Sequence, residues 1–156
     1  MIQSRKGFNE TVSAGQGGKL RDQLTFMLYA GAKETTRRYK MLLRSTGLTY
    51  TQYLAMFVLW EKEKINVKTL GEQLYLDSGT LTPMLKKMEE AGFIKRTRDS
   101  GDERNIIVTL TDTGRKLRSA AAAVEAKAKA EFPITGMEAK QLAATLEKLL
   151  YGLSEQ

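Results

Sequence analysis

Cysteine and histidine are both absent from the 156 residues. Their absence excludes thiol nucleophiles, disulfides and Ser-His-Asp triads, and it removes the ligands on which most zinc sites depend. An enzyme with this sequence would have to use carboxylates, lysine or tyrosine. We therefore expect no cofactor and no metal site.

Long hydrophobic runs are also missing. The longest unbroken apolar run is Leu54–Trp60, far shorter than the roughly 20 residues that a membrane-spanning helix needs. The amino-terminal residues lack the apolar segment of a signal peptide. We predict a cytoplasmic protein with no membrane partner.

Charged residues make up 28% of the chain and hydrophobic residues 42%, which is typical of a globular protein. The net charge of +7 favours a polyanionic partner such as nucleic acid. However, residues 1–50 hold nine basic and three acidic side chains, whereas residues 77–111 hold six of each. Net charge therefore does not locate a nucleic-acid site, and individual residues must do so.

Hydrophobic periodicity predicts a mainly helical chain. The first three predicted helices are Leu20–Arg44, a helix from the Thr49–Gln52 capping box to Trp60, and Val67–Leu74. A fourth helix begins at Asp77 or Ser78 and ends at Gly92. Pro83 suggests that this helix starts a few residues later, because proline is tolerated only in about the first turn.

A hairpin and two more helices follow in the prediction. Phe93–Arg98 and Asn105–Thr111 alternate or run apolar in the manner of strands, and the residues between them favour a turn. The next helix extends from about Thr111 to Phe132. The Thr135–Glu138 capping box opens the last helix.

Two short helices followed by a hairpin are typical of a winged helix-turn-helix. The predicted fold is therefore mainly α with a small β-hairpin wing, an α+β arrangement. The glycine-rich residues 1–18 are predicted to form a flexible tail. A single domain at 19–156 then contains the winged helix-turn-helix at 47–111, flanked by dimerisation helices at 19–46 and 112–156.

The fourth helix and the hairpin carry chemistry that suits DNA. The helix begins with short hydroxyls and with free backbone N–H groups that favour phosphates, and the hairpin is basic. Arg104 is placed to insert into a minor groove, and Asp102 is placed to hold that side chain extended. The predicted DNA-binding residues are Ser78, Thr80, Thr82, Lys86, Lys87, Arg96, Arg98, Asp102 and Arg104.

Each of these residues also has an ordinary structural explanation. Ser78 and Thr80 are typical helix caps. Lys86 and Lys87 stand beside two glutamates, as on a solvated helix face, and Arg104 follows two acids, as in a surface ion pair. The joint arrangement of a helix and a basic hairpin favours DNA binding.

The apolar stripes of the first and last helices are longer than one small core covers. They pack either within the chain or against a second copy, and we favour a homodimer. A helix-turn-helix dimer reads two half-sites about one helical turn apart. The expected partner is thus a pseudo-palindromic operator in double-stranded DNA.

The sequence resembles the MarR family of regulators, specifically its organic-hydroperoxide-sensing branch, from about Leu20 to Thr111. The segments that carry the similarity are Leu48–Leu54, Gly71–Pro83 and Asp102–Arg104. The resemblance implies a dimer built from the terminal helices, a recognition helix at Ser78–Ala91 and a wing arginine at Arg104. It also implies repression of an adjacent gene.

One position departs from that branch. By resemblance, the sensor pocket consists of Thr25, Tyr29 and Tyr39, and Thr25 stands where the branch carries its reactive cysteine. A threonine hydroxyl has no oxidation steps of the sulfenic kind, so thiol-based peroxide sensing is not possible there. The two tyrosines are otherwise explained as aromatic core at a helix interface.

Three further possibilities remain open at this point. A small-molecule effector would suit a cleft between the dimer helices and the DNA-binding lobe. A methionine such as Met27 or Met56 would respond to oxidation, although methionine at helical spacing is usually core. An enzyme would need carboxylates such as Asp99 and Asp102, which on a turn are usually solvated.

Overall fold

The computed structural model describes residues 19–102 and 104–154, so the predicted tail lies outside the described residues. They form six α-helices and three short strands, joined in places by 3-10 turns. In chain order the elements are α1 Leu24–Leu42, α2 Tyr50–Lys62, β1 Lys64–Asn66, α3 Val67–Leu74, α4 Ser78–Glu90, β2 Ile94–Arg98, β3 Ile106–Leu110, α5 Asp112–Glu131 and α6 Gly136–Ser154. The chain divides into two compact units, with the boundary after Val124 in α5.

The first helix is shorter than predicted because 3-10 turns bracket it. One turn precedes α1 at Leu20–Asp22, and another follows it at Leu43–Thr46. Gly47 then takes a left-handed φ of 71°, which ends the helical segment. Within the single chain α1 buries none of its residues.

The predicted capping box at the start of α2 is confirmed. The Gln52 backbone N–H donates to Thr49 Oγ1 at 3.3 Å, and the Thr49 N–H donates to Gln52 Oε1 at 2.9 Å. These two bonds satisfy donors that a helix start otherwise leaves unpaired. The helix that follows supplies much of the core, with Ala55, Met56 and Leu59 fully buried.

The second and third helices of the motif have the predicted start points. Asn66 caps α3 and Asp77 caps α4, each through its side-chain oxygen. The delayed start that Pro83 suggested for α4 is wrong, since the helix begins at Ser78 and contains Pro83. Because proline has no N–H, Pro83 cannot donate the usual helical hydrogen bond to the carbonyl of Gly79. That carbonyl belongs to the first turn of the helix, which is exposed.

The wing is a three-stranded antiparallel sheet in the order β1-β3-β2. The predicted hairpin is confirmed, with Ile94 opposite Leu110 and Arg98 opposite Ile106. The additional strand β1 follows α2, and its Ile65 pairs with Val108 of β3. The hairpin is thereby anchored to the helices by backbone pairing as well as by its buried side chains.

A single apolar core joins α2, α3, α4 and the sheet. Burial of these side chains is the main stabilising term for a lobe of this size. Its largest fully buried side chains are Leu43, Met56, Leu59, Leu70, Leu81, Leu85, Met88, Ile94 and Val108.

The start of α5 is joined closely to the lobe. The indole Nε1 of Trp60 donates to the Gly114 carbonyl at 2.9 Å, across 54 residues of sequence. A Cβ added at Gly114 would overlap the Phe93 carbonyl oxygen, so only glycine fits this approach. Arg115 then pairs with Glu63 at 2.8 Å. We call this set of contacts the α5 joint.

The second unit contains the end of α5 and the whole of α6. The predicted capping box is confirmed here too, because the Glu138 N–H donates to Thr135 Oγ1 and the Thr135 N–H donates to Glu138 Oε2. Within the single chain α6 buries none of its residues. Across residues 19–102 and 104–154, no helix is long and apolar enough to cross a bilayer.

Candidate nucleic-acid interface

The amino end of α4 is exposed and firmly capped. Asp77 Oδ1 accepts from the Thr80 N–H at 2.9 Å, and Oδ2 accepts from the Thr80 hydroxyl at 3.0 Å. These bonds lower the pKa of the Asp77 carboxyl, and the bond from the Thr80 backbone N–H contributes most. Ser78 and Gly79 lie exposed beside them. Asp77 is therefore the cap, and the hydroxyl of Ser78 stays available to a ligand.

The remaining predicted residues of α4 are also at the surface. Thr82 is exposed, and so is Lys87, for which the structure shows no ion pair within the described residues. Lys86 Nζ lies 3.9 Å from Glu90 Oε1, with both side chains more than half exposed. This pair follows the i,i+4 pattern of a solvated helix face and is worth little.

The tip of the wing is shaped by hydrogen bonds to two aspartates. Asp99 Oδ1 accepts from the Gly101 N–H at 3.0 Å, and Asp102 Oδ1 accepts from the Arg104 N–H at 3.1 Å. Asp102 Oδ2 accepts from the side-chain amide of Asn105. Asp102 was expected to hold the Arg104 guanidinium. It binds the main chain of Arg104 instead, so it fixes the turn from which that exposed side chain extends.

Arg96 does not lie free as the sequence suggested. Its Nε and one terminal nitrogen contact Glu89 Oε2 at 2.9 and 2.8 Å, and its backbone N–H donates to Glu89 Oε1 at 2.7 Å. These bonds lower the pKa of the Glu89 carboxyl, the backbone bond contributing most. The Arg96 side chain is only 24% exposed. Its geometry favours a structural tie between β2 and α4, whereas Arg98 at the end of β2 is exposed.

An open groove of about 690 Å³ brings the amino end of α4 and the wing together. Ser78, Arg104 and Lys68 of α3 all line it, together with the carboxylates of Glu72 and Asp77. Sequence reasoning missed Tyr75, which also lines this groove and is 71% exposed. Its φ of 54° is left-handed. A tyrosine at a helix end where glycine or asparagine is usual was the available signal.

A second, smaller groove of about 330 Å³ lies on the other side of α4. Thr49 and Gln52 at the start of α2 line one side of it. Thr80 and Lys87 of α4 line the other side. The exposed surface of α4 is thus continuous with the amino end of α2.

The three residues of the predicted sensor pocket are not brought together within one chain. Thr25 is exposed on α1, and Tyr29 one turn later is also exposed, with Lys33 Nζ at 3.3 Å from its hydroxyl. Tyr39 lies fourteen residues beyond Thr25, about 21 Å along the same helix. Its ring instead stacks 4.7 Å from that of Tyr50 and 5.8 Å from that of Tyr53.

The carboxylates that an enzyme would need are used in other ways. Asp99 and Asp102 accept hydrogen bonds within the wing turn, where they shape the main chain. Within residues 19–102 and 104–154, no group of three or more acidic side chains is arranged to hold a metal ion.

Comparison with known proteins identifies the family. Residues 37–120 match the family described as transcriptional regulator SarA/Rot. The organic hydroperoxide resistance transcriptional regulator of Bacillus subtilis (strain 168) is 46% identical over 138 residues, which cover 88% of this chain and 94% of that protein. The chain belongs to the SarA/Rot family of MarR-like winged-helix transcription regulators.

Other members of this family agree in sequence and in fold. The HTH-type transcriptional regulator SarZ of Staphylococcus aureus (strain MRSA252) is 40% identical over 131 residues, covering 84% of this chain and 88% of SarZ. AbfR of Staphylococcus epidermidis has been solved in its reduced form bound to DNA. That structure is 34% identical, with a TM-score of 0.77 over 88% of this chain and 94% of AbfR.

Membership in the family confirms the winged-helix fold and the function of DNA-binding transcription regulator that the sequence predicted. It also agrees with the resemblance to the MarR family stated from the motifs. The methionine-based switch, the small-ligand-responsive regulator and the carboxylate enzyme gain no support from these relatives. The roles of the individual DNA-binding and sensor residues stay predictions.

Proposed function

We propose that this regulator is a homodimeric repressor that binds a pseudo-palindromic operator in double-stranded DNA. The observation that carries the proposal is that Ser78 of α4 and Arg104 of the wing line the same exposed groove. A recognition helix in the major groove and a wing arginine in the adjacent minor groove need this arrangement.

The residues divide into two roles in this proposal. Ser78, Thr82 and Lys87 on α4 face base edges and phosphates, while Arg98 and Arg104 reach the backbone and minor groove. The contribution of Thr80 is made through its bonds to Asp77, which keep the first turn of α4 in shape. The capped first turn therefore holds Ser78 and Thr82 in position without prior rearrangement.

The dimer is proposed from the apolar surfaces of two helices. Large exposed apolar surfaces are unusual on a monomer and mark contact sites. On α1 the exposed large apolar side chains are Leu24, Met27, Tyr29 and Met41, and on α6 they are Met137, Leu142, Leu150, Tyr151 and Leu153. A second copy of the chain would cover both surfaces, in agreement with the DNA-reading symmetry of a dimer.

The cellular setting is inferred from the family. We place the protein in the cytoplasm, with no catalytic activity of its own, as a regulator of stress-response genes. The Bacillus relative is named for organic hydroperoxide resistance, which supports that gene class here.

The proposal is tested with the DNA upstream of the gene that encodes this protein. We expect footprinting to show two protected half-sites, and sedimentation of the complex to give two chains per site. Insertion of five base pairs between the half-sites rotates them by about half a helical turn and should abolish tight binding. Binding of one chain to an isolated half-site with full affinity would contradict the proposal.

A further inference from the structure

A row of basic side chains follows the surface of α1. Its members are Lys33, Arg37, Lys40 and Arg44, the last of them in the 3-10 turn that follows the helix. They are spaced by four, three and four residues, so they lie on one face, and all four are exposed. We call this set the basic stripe. The winged motif does not use it, and it touches the proposed dimer surface only where Lys33 Nζ lies 3.3 Å from the Tyr29 hydroxyl.

Little acidic charge offsets the basic stripe. Residues 33–44 contain five basic side chains and one acidic one, Glu34. Glu34 Oε2 lies 2.7 Å from a terminal nitrogen of Arg37, with the two side chains 61% and 74% exposed. So exposed a pair is weak and is readily exchanged for a stronger anion. The stripe therefore concentrates most of the basic surplus of the described amino-terminal half.

The opposite side of α1 fixes the stripe on the DNA-binding lobe. Tyr39 stacks on Tyr50 and Tyr53 of α2, and Leu42 packs against the core. The stripe thus faces away from the lobe to which its helix is attached. Because these charges lie on a helix, the helix fixes the spacing between them, which a flexible tail would not do.

The end of the stripe is close to the recognition helix. Arg44 precedes Thr49 by five residues, so at most about 18 Å of chain separates them. Thr49 lines the 330 Å³ groove whose other side is formed by Thr80 and Lys87 of α4. The exposed surface therefore leads from α4, past the start of α2, to the basic stripe.

We propose that the basic stripe binds the phosphate backbone of the duplex that flanks each half-site, outside the segment read by α4 and the wing. This inference rests on the proposed operator binding and extends its footprint. Duplex DNA carries one negative charge per about 1.7 Å of axis, and the stripe spans about 17 Å along its helix. Several phosphates are therefore available to four cations, and the contacts carry no sequence information.

The test compares short and long duplexes. The short duplex contains only the two half-sites mapped by footprinting, and the long one adds ten base pairs of arbitrary sequence at each end. The stripe variant carries K33Q, R37Q, K40Q and R44Q. A matched control with the same change in net charge carries K116Q, K127Q, K140Q and K148Q at exposed positions of α5 and α6.

Affinity is measured by fluorescence anisotropy at several salt concentrations. On the long duplex, the plot of log affinity against log salt should be shallower for the stripe variant than for the control. The expected difference is about 0.9 for each phosphate that the substituted side chains no longer neutralise. On the short duplex the two variants should agree. Exchanging the flanking sequence for another should leave the affinity and its salt dependence unchanged.

Two results would overturn the proposal. Equal slopes for the two variants on the long duplex would show that the stripe does not touch DNA and serves another partner, such as an acidic protein surface. Dependence on the flanking sequence would show base reading instead of phosphate contact. Failure of the operator proposal is distinguishable, because the unsubstituted protein would then not bind the short duplex specifically.

Discussion

Two arginines of the wing have opposite surroundings. Arg96 is held by Glu89 at 2.8 Å and is 24% exposed, whereas Arg104 extends from an exposed turn. The sequence shows both as basic residues of one hairpin. The difference arises because β2 runs back along α4 and brings Glu89 beside Arg96, an ion pair that no local pattern reveals.

Replacement of Arg104 by alanine should weaken operator binding and lower the salt slope by about 0.9 per subunit. The side chain is exposed and supports no described contact of the core, so the free energy of unfolding should change by less than about 0.5 kcal/mol. Anisotropy titrations across salt concentrations measure the first effect, and urea denaturation measures the second. Arg118→Ala, at an exposed position of α5, serves as the control. An unchanged slope would leave Arg104 as a solvated wing residue.

Organic hydroperoxide at equimolar amounts should leave operator affinity unchanged, because the chain contains no cysteine. Thr25→Cys should create sensitivity, since it restores a thiol one turn from Tyr29 at the position that the resembling branch uses. Thr36→Cys places a thiol at another exposed position of α1 and should respond less. Fluorescence anisotropy monitors the release of DNA as organic hydroperoxide is added to the unsubstituted protein, to Thr25→Cys and to Thr36→Cys. Prompt release of the unsubstituted protein would show that a different residue senses oxidant.

Glu89 ties the recognition helix α4 to the wing. Glu89→Gln should lower the free energy of unfolding by about 1 kcal/mol at neutral pH, because it removes a charge-assisted pair that is about one-third exposed. The pKa of Glu89 is lowered in the folded state, so the stabilisation is present above the unfolded value of about 4.3 and disappears as pH falls through the folded value.

Urea denaturation between pH 7 and pH 3 checks this dependence. The difference between the unsubstituted protein and Glu89→Gln should shrink as the pH falls below about 4. The neighbouring substitution Glu90→Gln affects only a 3.9 Å surface pair and should stay within about 0.5 kcal/mol at every pH. A constant difference for Glu89→Gln would mean that its effect is not electrostatic.

The α5 joint depends on the close approach that Gly114 makes to Phe93. Gly114→Ala should destabilise the fold by about 1–3 kcal/mol, because the new methyl group overlaps the backbone oxygen of Phe93, which cannot rotate away. Gly136→Ala at the start of α6 meets nothing within 4 Å and is the matched control. The midpoints of thermal unfolding of the two variants measure this difference in stability. Equal midpoints would show that α5 can shift without cost.

Most elements could be predicted from the sequence because their signals are local. The capping boxes at Thr49 and Thr135 and the left-handed Gly92 mark helix ends within a few residues. The strand at Lys64–Asn66 could not be predicted, since its three residues are defined by pairing with β3 more than forty residues later. Pro83 misled the prediction because a local rule was applied where one missing hydrogen bond at an exposed turn is tolerated.

The candidate site was predictable to a similar extent. The positions of Ser78 and Arg104 follow from the order of the elements, and the structure places both at one groove. The ion pair of Arg96 could not be predicted because it depends on the approach of β2 to α4. The contact of Asp102 with the main chain of Arg104 could not be predicted because it depends on the conformation of the turn that contains both residues. The sequence placed Thr25 and Tyr39 on one helix face about 21 Å apart, but it did not show that Tyr39 packs against Tyr50 and Tyr53 of α2.

The exposed apolar surface of α6 should control dimer assembly and, through it, DNA affinity. Leu142 is 51% exposed in the single chain. Leu142→Glu should shift the protein toward monomer and weaken operator binding at least about tenfold, because a carboxylate buried in a dimer interface without a partner is costly. Gln141→Glu adds the same charge at the adjacent exposed position and should leave the dimer intact.

Analytical ultracentrifugation of the two variants, followed by anisotropy with the footprinted duplex, measures both effects. A dimeric Leu142→Glu protein with full affinity would place the contact between subunits elsewhere. A monomeric Leu142→Glu protein that still binds the full operator tightly would show that DNA binding does not require the dimer.

The α5 joint also provides an optical probe. Trp60 is the only tryptophan in the chain, 7% exposed, and its indole donates to the carbonyl of Gly114. All tryptophan emission therefore comes from the contact between the DNA-reading lobe and the start of α5. The spectrum should be blue-shifted in the closed joint and move to longer wavelength if water reaches the indole. Opening of the joint during DNA binding or release could thus be followed in the unlabelled protein on the timescale of a stopped-flow mixing experiment.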